Sequence, residues 1–115
     1  MSPRADRGAV TVEAALALAG LAVVTAVAVG SIAAVIASVR CVDAARELAR
    51  LTARGEPERG RHVAAELAPS GAQITLSVVG DEVVAEVRSS VAPPLPVRVG
   101  AHAVAVLEPG AHPSP

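Results

Sequence analysis

The chain has 115 residues, enough for one modest domain, and is 52% apolar with no Phe, Trp or Tyr. Its net charge is −1 and every basic side chain is arginine, with no basic patch interleaved with aromatics, which excludes a nucleic-acid surface of the stacking kind. One cysteine, Cys41, excludes an internal disulfide and a cysteine-based metal site.

Lysine and asparagine are also missing, while Ala, Val, Gly and Pro abound. That pattern fits a high-GC coding sequence, so missing residue types carry little functional meaning. The first eight residues are polar and include Arg4 and Arg7. They run into "RGAVTVE" at 7–13, which sets Glu13 against the 26 uncharged residues 14–39. At about 1.5 Å per residue that run makes a helix roughly 39 Å long, against a hydrocarbon core of about 30 Å. A cleaved secretory signal has an apolar region of only about 7–15 residues, and no Ala-x-Ala site follows at a sensible distance.

The run is rich in alanine. Its Leu, Val and Ile members contribute roughly −3 to −7 kcal/mol to insertion, while a central charge costs about +2.5 to +3.5 kcal/mol. Glu13 is therefore expected at the membrane boundary or beside a positive partner. Gly20, Gly30 and the alanines allow close helix–helix approach. Arginine counting gives a mild opposite signal on orientation. Arg40, Arg46, Arg50 and Arg54 follow the run, against Arg4 and Arg7 before it, which favours a cytoplasmic C-terminal side.

The helix is expected to continue past the membrane. In "RCVDAARELARLTARG", Cys41, Ala44, Ala45, Leu48, Ala49, Leu51 and Thr52 share one face, and Asp43, Arg46, Glu47, Arg50 and Arg54 the other. Asp43 with Arg46, and Glu47 with Arg50, are opposite charges three apart. Gly55 and Pro57 stop the helix, so residues 9–54 form a single helix of about 69 Å. "GEPERG" reads as a polar turn and "RHVAAELA" as two short helical turns closed by Pro69-Ser70-Gly71.

The period then becomes two. Gly80-Asp81 is a two-residue hairpin loop, which opposes Val78 to Val83, Leu76 to Ala85 and Ile74 to Val87 on one face. Thr75 opposes Glu86, and Gln73 opposes Arg88, on the other. A third strand is expected over 97–107, and the terminal "EPGAHPSP" reads as a disordered tail. The expected fold is α+β: a long N-terminal helix, transmembrane then amphipathic, carrying a small C-terminal antiparallel β cap. Its segments are 1–8, 9–39, 40–54, 55–71, 72–108 and 109–115. Without aromatics the cap buries little area, and weak independent stability is expected.

No catalytic arrangement is expected. His62, His102 and His112 are not at metal-ligand spacing, and Ser89-Ser90 lacks a nucleophile-elbow setting. Neither a phosphate loop nor any cofactor motif is found, so no enzyme, metal or cofactor is inferred.

The sharpest motif is Gly8, Ala9 and Glu13. A cut after Gly8 makes Glu13 the fifth residue of the mature chain, with the apolar helix following it. This layout resembles a type IV prepilin: a short basic leader ending in glycine, a small residue, then glutamate at the fifth mature position. The long helix, "CVDAARELARLTARG" and a small β cap together look like the TadE-like pseudopilins of tight-adherence (Flp, type IVb) pili in high-GC Gram-positive bacteria. The likeness covers most of the chain and favours a minor pilin over the shorter major ones. Ala14 departs from the tyrosine that often follows the glutamate in type IVb pilins.

The resemblance implies a pilin-like, membrane-anchored pseudopilin cleaved by a prepilin peptidase. It implies partners in other pilin subunits, through the apolar helix, and in a pilus assembly platform. It implies a single-pass protein of the cytoplasmic membrane with its N-terminus in the cytoplasm, which then passes to the cell surface and pilus. Arg4 and Arg7 become leader charges, Gly8 and Ala9 the processing site, and Glu13 the group that sets assembly register. Two alternatives remain: a single-pass membrane protein with a partner-binding cap, and a secreted protein with an atypical signal. Cys41 is expected as a small helix residue near the membrane boundary and a handle for topology labelling.

Overall fold

The computed structural model describes residues 3–91 and 97–111. Helix α1 runs Pro3–Ala53, helix α2 Pro57–Leu67, and strands β1 Gln73–Val79, β2 Glu82–Val91 and β3 Val97–Val106 follow. The chain divides into two units, Met1–Ile32 and Ala33–Pro115. The first is the N-terminal part of α1. The second holds the rest of α1, α2 and the antiparallel sheet, ordered β1-β2-β3.

Helix α1 begins earlier than expected, because the leader residues from Pro3 onward are helical. Proline suits a first helical turn, and Asp6 there opposes the positive end of the helix dipole. The other end closes on Gly55 at φ +87°, a left-handed conformation that glycine adopts without strain. Its N–H donates to the Thr52 carbonyl at 2.9 Å and that of Glu56 to Leu51 at 2.9 Å, the Schellman pairing that satisfies late carbonyls.

"GEPERG" is not a turn throughout. Pro57 occupies the first turn of α2, with Glu58 beside it, so the helix starts four residues before the expected Arg61. Gly60 then lies inside α2 and is buried. A Cβ there would come 3.2 Å from Leu48 Cδ1 and 3.3 Å from both the Leu48 carbonyl oxygen and Leu51 Cβ. The glycine lets α2 lie directly against the second half of α1. At the other end of α2, Arg40 donates from Nε to the Leu67 carbonyl (3.0 Å) and from Nη2 to Ala68 (3.2 Å). Those are orphan carbonyls of a helix end, so Arg40 serves as its side-chain cap.

The hairpin register is the expected one: Val79 opposes Glu82, Val78 opposes Val83, Leu76 opposes Ala85 and Ile74 opposes Val87. Gly80, at φ +64°, supplies the left-handed residue of the loop. Strand β3 pairs with β2 from Val97 opposite Val91 to Val106 opposite Glu82. The inner face of the sheet covers the stripe of α1. Cys41, Ala44, Ala45, Leu48 and Ala49 join Ala64, Ala68, Ala85 and Val87 in the core, with Ile74, Leu76, Val99, Ala101 and Ala103 packed at its margin. So much alanine lets the layers approach closely but buries little area per residue. The largest fully buried side chains are Leu48, Val83, Val87, Thr52 and Cys41. Among the described residues Thr52 Oγ1 has no hydrogen-bond partner, and a buried hydroxyl left so costs roughly 1–3 kcal/mol.

Of the two expected ion pairs on α1, Glu47 with Arg50 forms and Asp43 with Arg46 does not. The Arg50 guanidinium holds the Glu47 carboxyl below its ordinary range. A depressed carboxyl favours the fold above its unfolded pKa, and that contribution is lost as pH falls through the folded one. The expected tail is ordered in its first part. The Glu108 N–H donates to the Ala53 carbonyl (2.9 Å), its carboxylate lies 3.7 Å from Arg54, and the Ala111 N–H donates back to Glu108 (2.9 Å). These bonds, with a glycine turn at Gly110, fold residues 108–111 over the end of α1. The remaining tail, 112–115 with His112, lies outside the described residues.

Candidate membrane and assembly helix

The N-terminal unit buries nothing of its own. From Val10 to Ile32, ten Val, Leu and Ile side chains are each between 60% and 68% exposed. That is far more apolar surface than a soluble chain leaves in water. Helix α1 is long and apolar enough to cross a membrane. Two of its hydroxyls bond to the helix's own carbonyls: Thr11 Oγ1 donates to the Arg7 carbonyl (2.9 Å) and Ser31 Oγ to Val27 (2.8 Å). Polar groups in hydrocarbon must find partners within the segment, and these do.

Arg4, Arg7, Gly8, Ala9 and Glu13 all lie on exposed turns of this helix. Ala9 and Glu13 are four apart and so share a face. The Gly8-Ala9 bond lies within regular helix, where glycine lowers local stability by about 1 kcal/mol relative to alanine. Among the described residues, Glu13 has no hydrogen-bond or ion-pair partner within the chain.

Part of the expected 9–39 segment is covered within the protein. Ala33, Ala34, Ala37 and Ser38 are partly buried, and at helical spacing they continue the stripe of Cys41, Ala44 and Ala45. They belong to the C-terminal unit rather than to a freely exposed span. Twenty residues counted back from Ile32 reach Glu13, and twenty residues of helix cover about 30 Å. Residues 13–32 are therefore long enough as helix to match a hydrocarbon core, with Glu13 at their first position.

Cys41 is not at a surface. It is fully buried in the cap core, and burial raises its thiol pKa while the neighbouring Arg40 guanidinium pulls the other way. A buried thiol of raised pKa reacts slowly, so Cys41 does not serve as a topology label. Sequence reading also missed the partners of Arg40. It counted a free charge beside the membrane where the fold uses a helix cap, and no local pattern links Arg40 to a helix end 27 residues on. Among the described residues no group of His, Cys, Asp and Glu is arranged to hold a metal.

The class so defined is a protein with one long apolar N-terminal helix whose second half is also the core helix of a small α+β unit. The chain belongs to the family of a Mycobacterium tuberculosis protein named apoptosis inhibitor Rv3655c, with which it is 43% identical over 100 residues, 85% of this chain and 78% of that protein. No family model matches the chain. No solved structure matches it either.

Proposed function

We propose that this protein is a minor pilin or pseudopilin of a tight-adherence (type IVb) pilus, a structural component and not an enzyme. Its Gly8-Ala9 bond is cut by a prepilin peptidase on the cytoplasmic side, and its apolar helix then packs among other pilin subunits on the assembly platform. The observation that carries this reading is the placement of Glu13, one turn after Ala9, at the start of an exposed apolar helix that runs unbroken into the core of a small cap. An ordinary anchor gains nothing from that carboxylate.

The reading needs the N-terminus inside and the cap outside, against the arginine count. The count loses force in the fold. Arg40 caps α2, Arg50 pairs with Glu47 and Arg54 with Glu108, all within a folded unit. Folded domains cross largely regardless of charge, and the rule applies to short loops. A thiol in the exposed hairpin loop tests the orientation: Asp81→Cys in a Cys41→Ala background. An impermeant maleimide is expected to label it in intact cells. Labelling only after lysis overturns the outward cap.

A second reading is a single-pass membrane protein whose cap binds a partner. Intact mass of the chain recovered from membranes separates the two. The pilin reading expects a mature chain starting at Ala9. A chain starting at Met1 or Ser2, in cells with active prepilin peptidase, overturns it. A chain lacking the whole apolar run would instead mark a secreted protein and overturn both.

A further inference from the structure

The outer face of the sheet carries a feature that neither membrane insertion nor assembly uses. A recess of about 450 Å³ opens between the start of β1 and the paired strands β2 and β3, lined by Gln73, Arg88, Ser90, Arg98 and Gly100, with Gly71 at its edge. Register puts Arg88 opposite Gly100 and Arg98 opposite Ser90, so the two arginines are diagonal neighbours on one face. Gly100 opens the floor between them. A Cβ there would come 3.3 Å from Arg88 Cγ and 3.3 Å from the Val87 carbonyl oxygen. Glu86 accepts from Nε and Nη2 of Arg88, which fixes the guanidinium and leaves Nη1 for another acceptor. Arg98 has no ion-pair partner among the described residues. The described lining holds two guanidiniums, hydroxyls and an amide, and no carboxylate.

We propose that this recess binds a phosphate-bearing group of net negative charge between Arg88 and Arg98. Arginine presents a planar fork of donors that matches phosphate oxygens, and charge-assisted bonds are the strong ones. The position of the recess in the fold favours a lipid headgroup as the source. Gln73 follows closely on the α2 end that Arg40 caps, so the recess lies at the Arg40 end of the unit. The opposite end of the sheet is tied to the end of α1, where Leu107 donates to Asp81 and Glu108 to Ala53. From Arg40 about 12 Å of helix leads back to Ile32 and the apolar segment. The proposal rests on that segment spanning a membrane, and not on processing at Gly8 or on filament assembly.

The test is amide NMR of the full chain in lipid nanodiscs. Discs containing phosphatidylglycerol, compared with phosphatidylcholine alone, are expected to shift Gly71, Arg98 and Gly100. Titrating glycerol phosphate into phosphatidylcholine discs is the second arm. Shifts in that arm alone keep the phosphate site and overturn the lipid source. The double change Arg88→Gln with Arg98→Gln is expected to weaken binding about tenfold or more. Gly100→Ala keeps both charges but closes the floor, and is expected to weaken it several-fold, which a diffuse surface attraction would not. Protection of the buried Cys41 thiol confirms that each variant is folded. No shift at these amides in either arm, or undiminished shifts in the double variant, overturns the site.

Discussion

A Glu13→Gln chain should enter the membrane as well as the wild type and yet fail to assemble. Insertion depends on the apolar side chains that follow, and removing a charge from the hydrocarbon edge does not weaken it. Assembly is different. Cleavage after Gly8 would leave a positive amine on Ala9, and a staggered neighbour can bring that amine to Glu13. Both charges then lie in low dielectric, where a pair is tolerated and a single unpaired charge is costly. Removing one partner of such a pair costs roughly 3–5 kcal/mol, which is more than a hundredfold in an association constant. Much of that cost is the stranded amine, so such a pair would set register more than add net stability. Membrane fractionation should show equal amounts of both chains, while cross-linked ladders and sheared surface filaments should be lost in the variant. Wild-type filament yield from Glu13→Gln would end the assembly role for this residue, even if processing at Gly8 were intact.

The elements that sequence reading located best are those fixed by short-range periodicity. The hairpin was legible because strict alternation meets a two-residue Gly80-Asp81 loop, which leaves one register that puts Ile74, Leu76 and Val78 on a single face. The stripe from Cys41 to Thr52 was legible because helical spacing separates it from the arginine and carboxylate face. What was not legible depends on distant partners. Arg40 looked like a membrane-flanking charge until α2 returned its carbonyls to it. Glu108 looked like the start of a tail until its amide met the end of α1. The cover over the last part of the apolar run was hidden for a related reason. Ala33, Ala34, Ala37 and Ser38 are as uncharged as the residues before them, and only the fold shows them partly covered. Hydropathy registers how apolar a residue is, not whether lipid or protein covers it. Gly60 is the converse case: a helix-weakening residue within the short helix α2 becomes intelligible once Leu48 is seen against it.

Leu48→Ala should unfold the cap while leaving the N-terminal helix in the membrane. Leu48 is the largest fully buried side chain, and its Cδ1 lies against Gly60, where α1 and α2 meet. Truncating a buried leucine costs about 2–5 kcal/mol, more where the walls cannot collapse. The core it belongs to is mostly alanine, which has no rotamers with which to fill a space, and Gly60 lies against its Cδ1. Small domains have roughly 5 kcal/mol or little more in hand, and this cap has no aromatic side chain to raise its share. Gly60→Val probes the same contact from the other side, by overpacking, at about 1–3 kcal/mol. Far-UV circular dichroism is a poor readout, because the 51-residue α1 dominates it. Cys41 is the better reporter, since its thiol is buried in the cap core. In detergent, its reaction with a thiol reagent should accelerate at least tenfold in Leu48→Ala, with the span's protection from protease unchanged. The pair should also couple. In the Leu48→Ala background, Gly60→Ala meets no Cδ1 and should cost less than it does alone, although the Leu48 carbonyl and Leu51 Cβ still crowd it at 3.3 Å. Unaltered Cys41 protection in Leu48→Ala would mean that this contact does not hold the cap together.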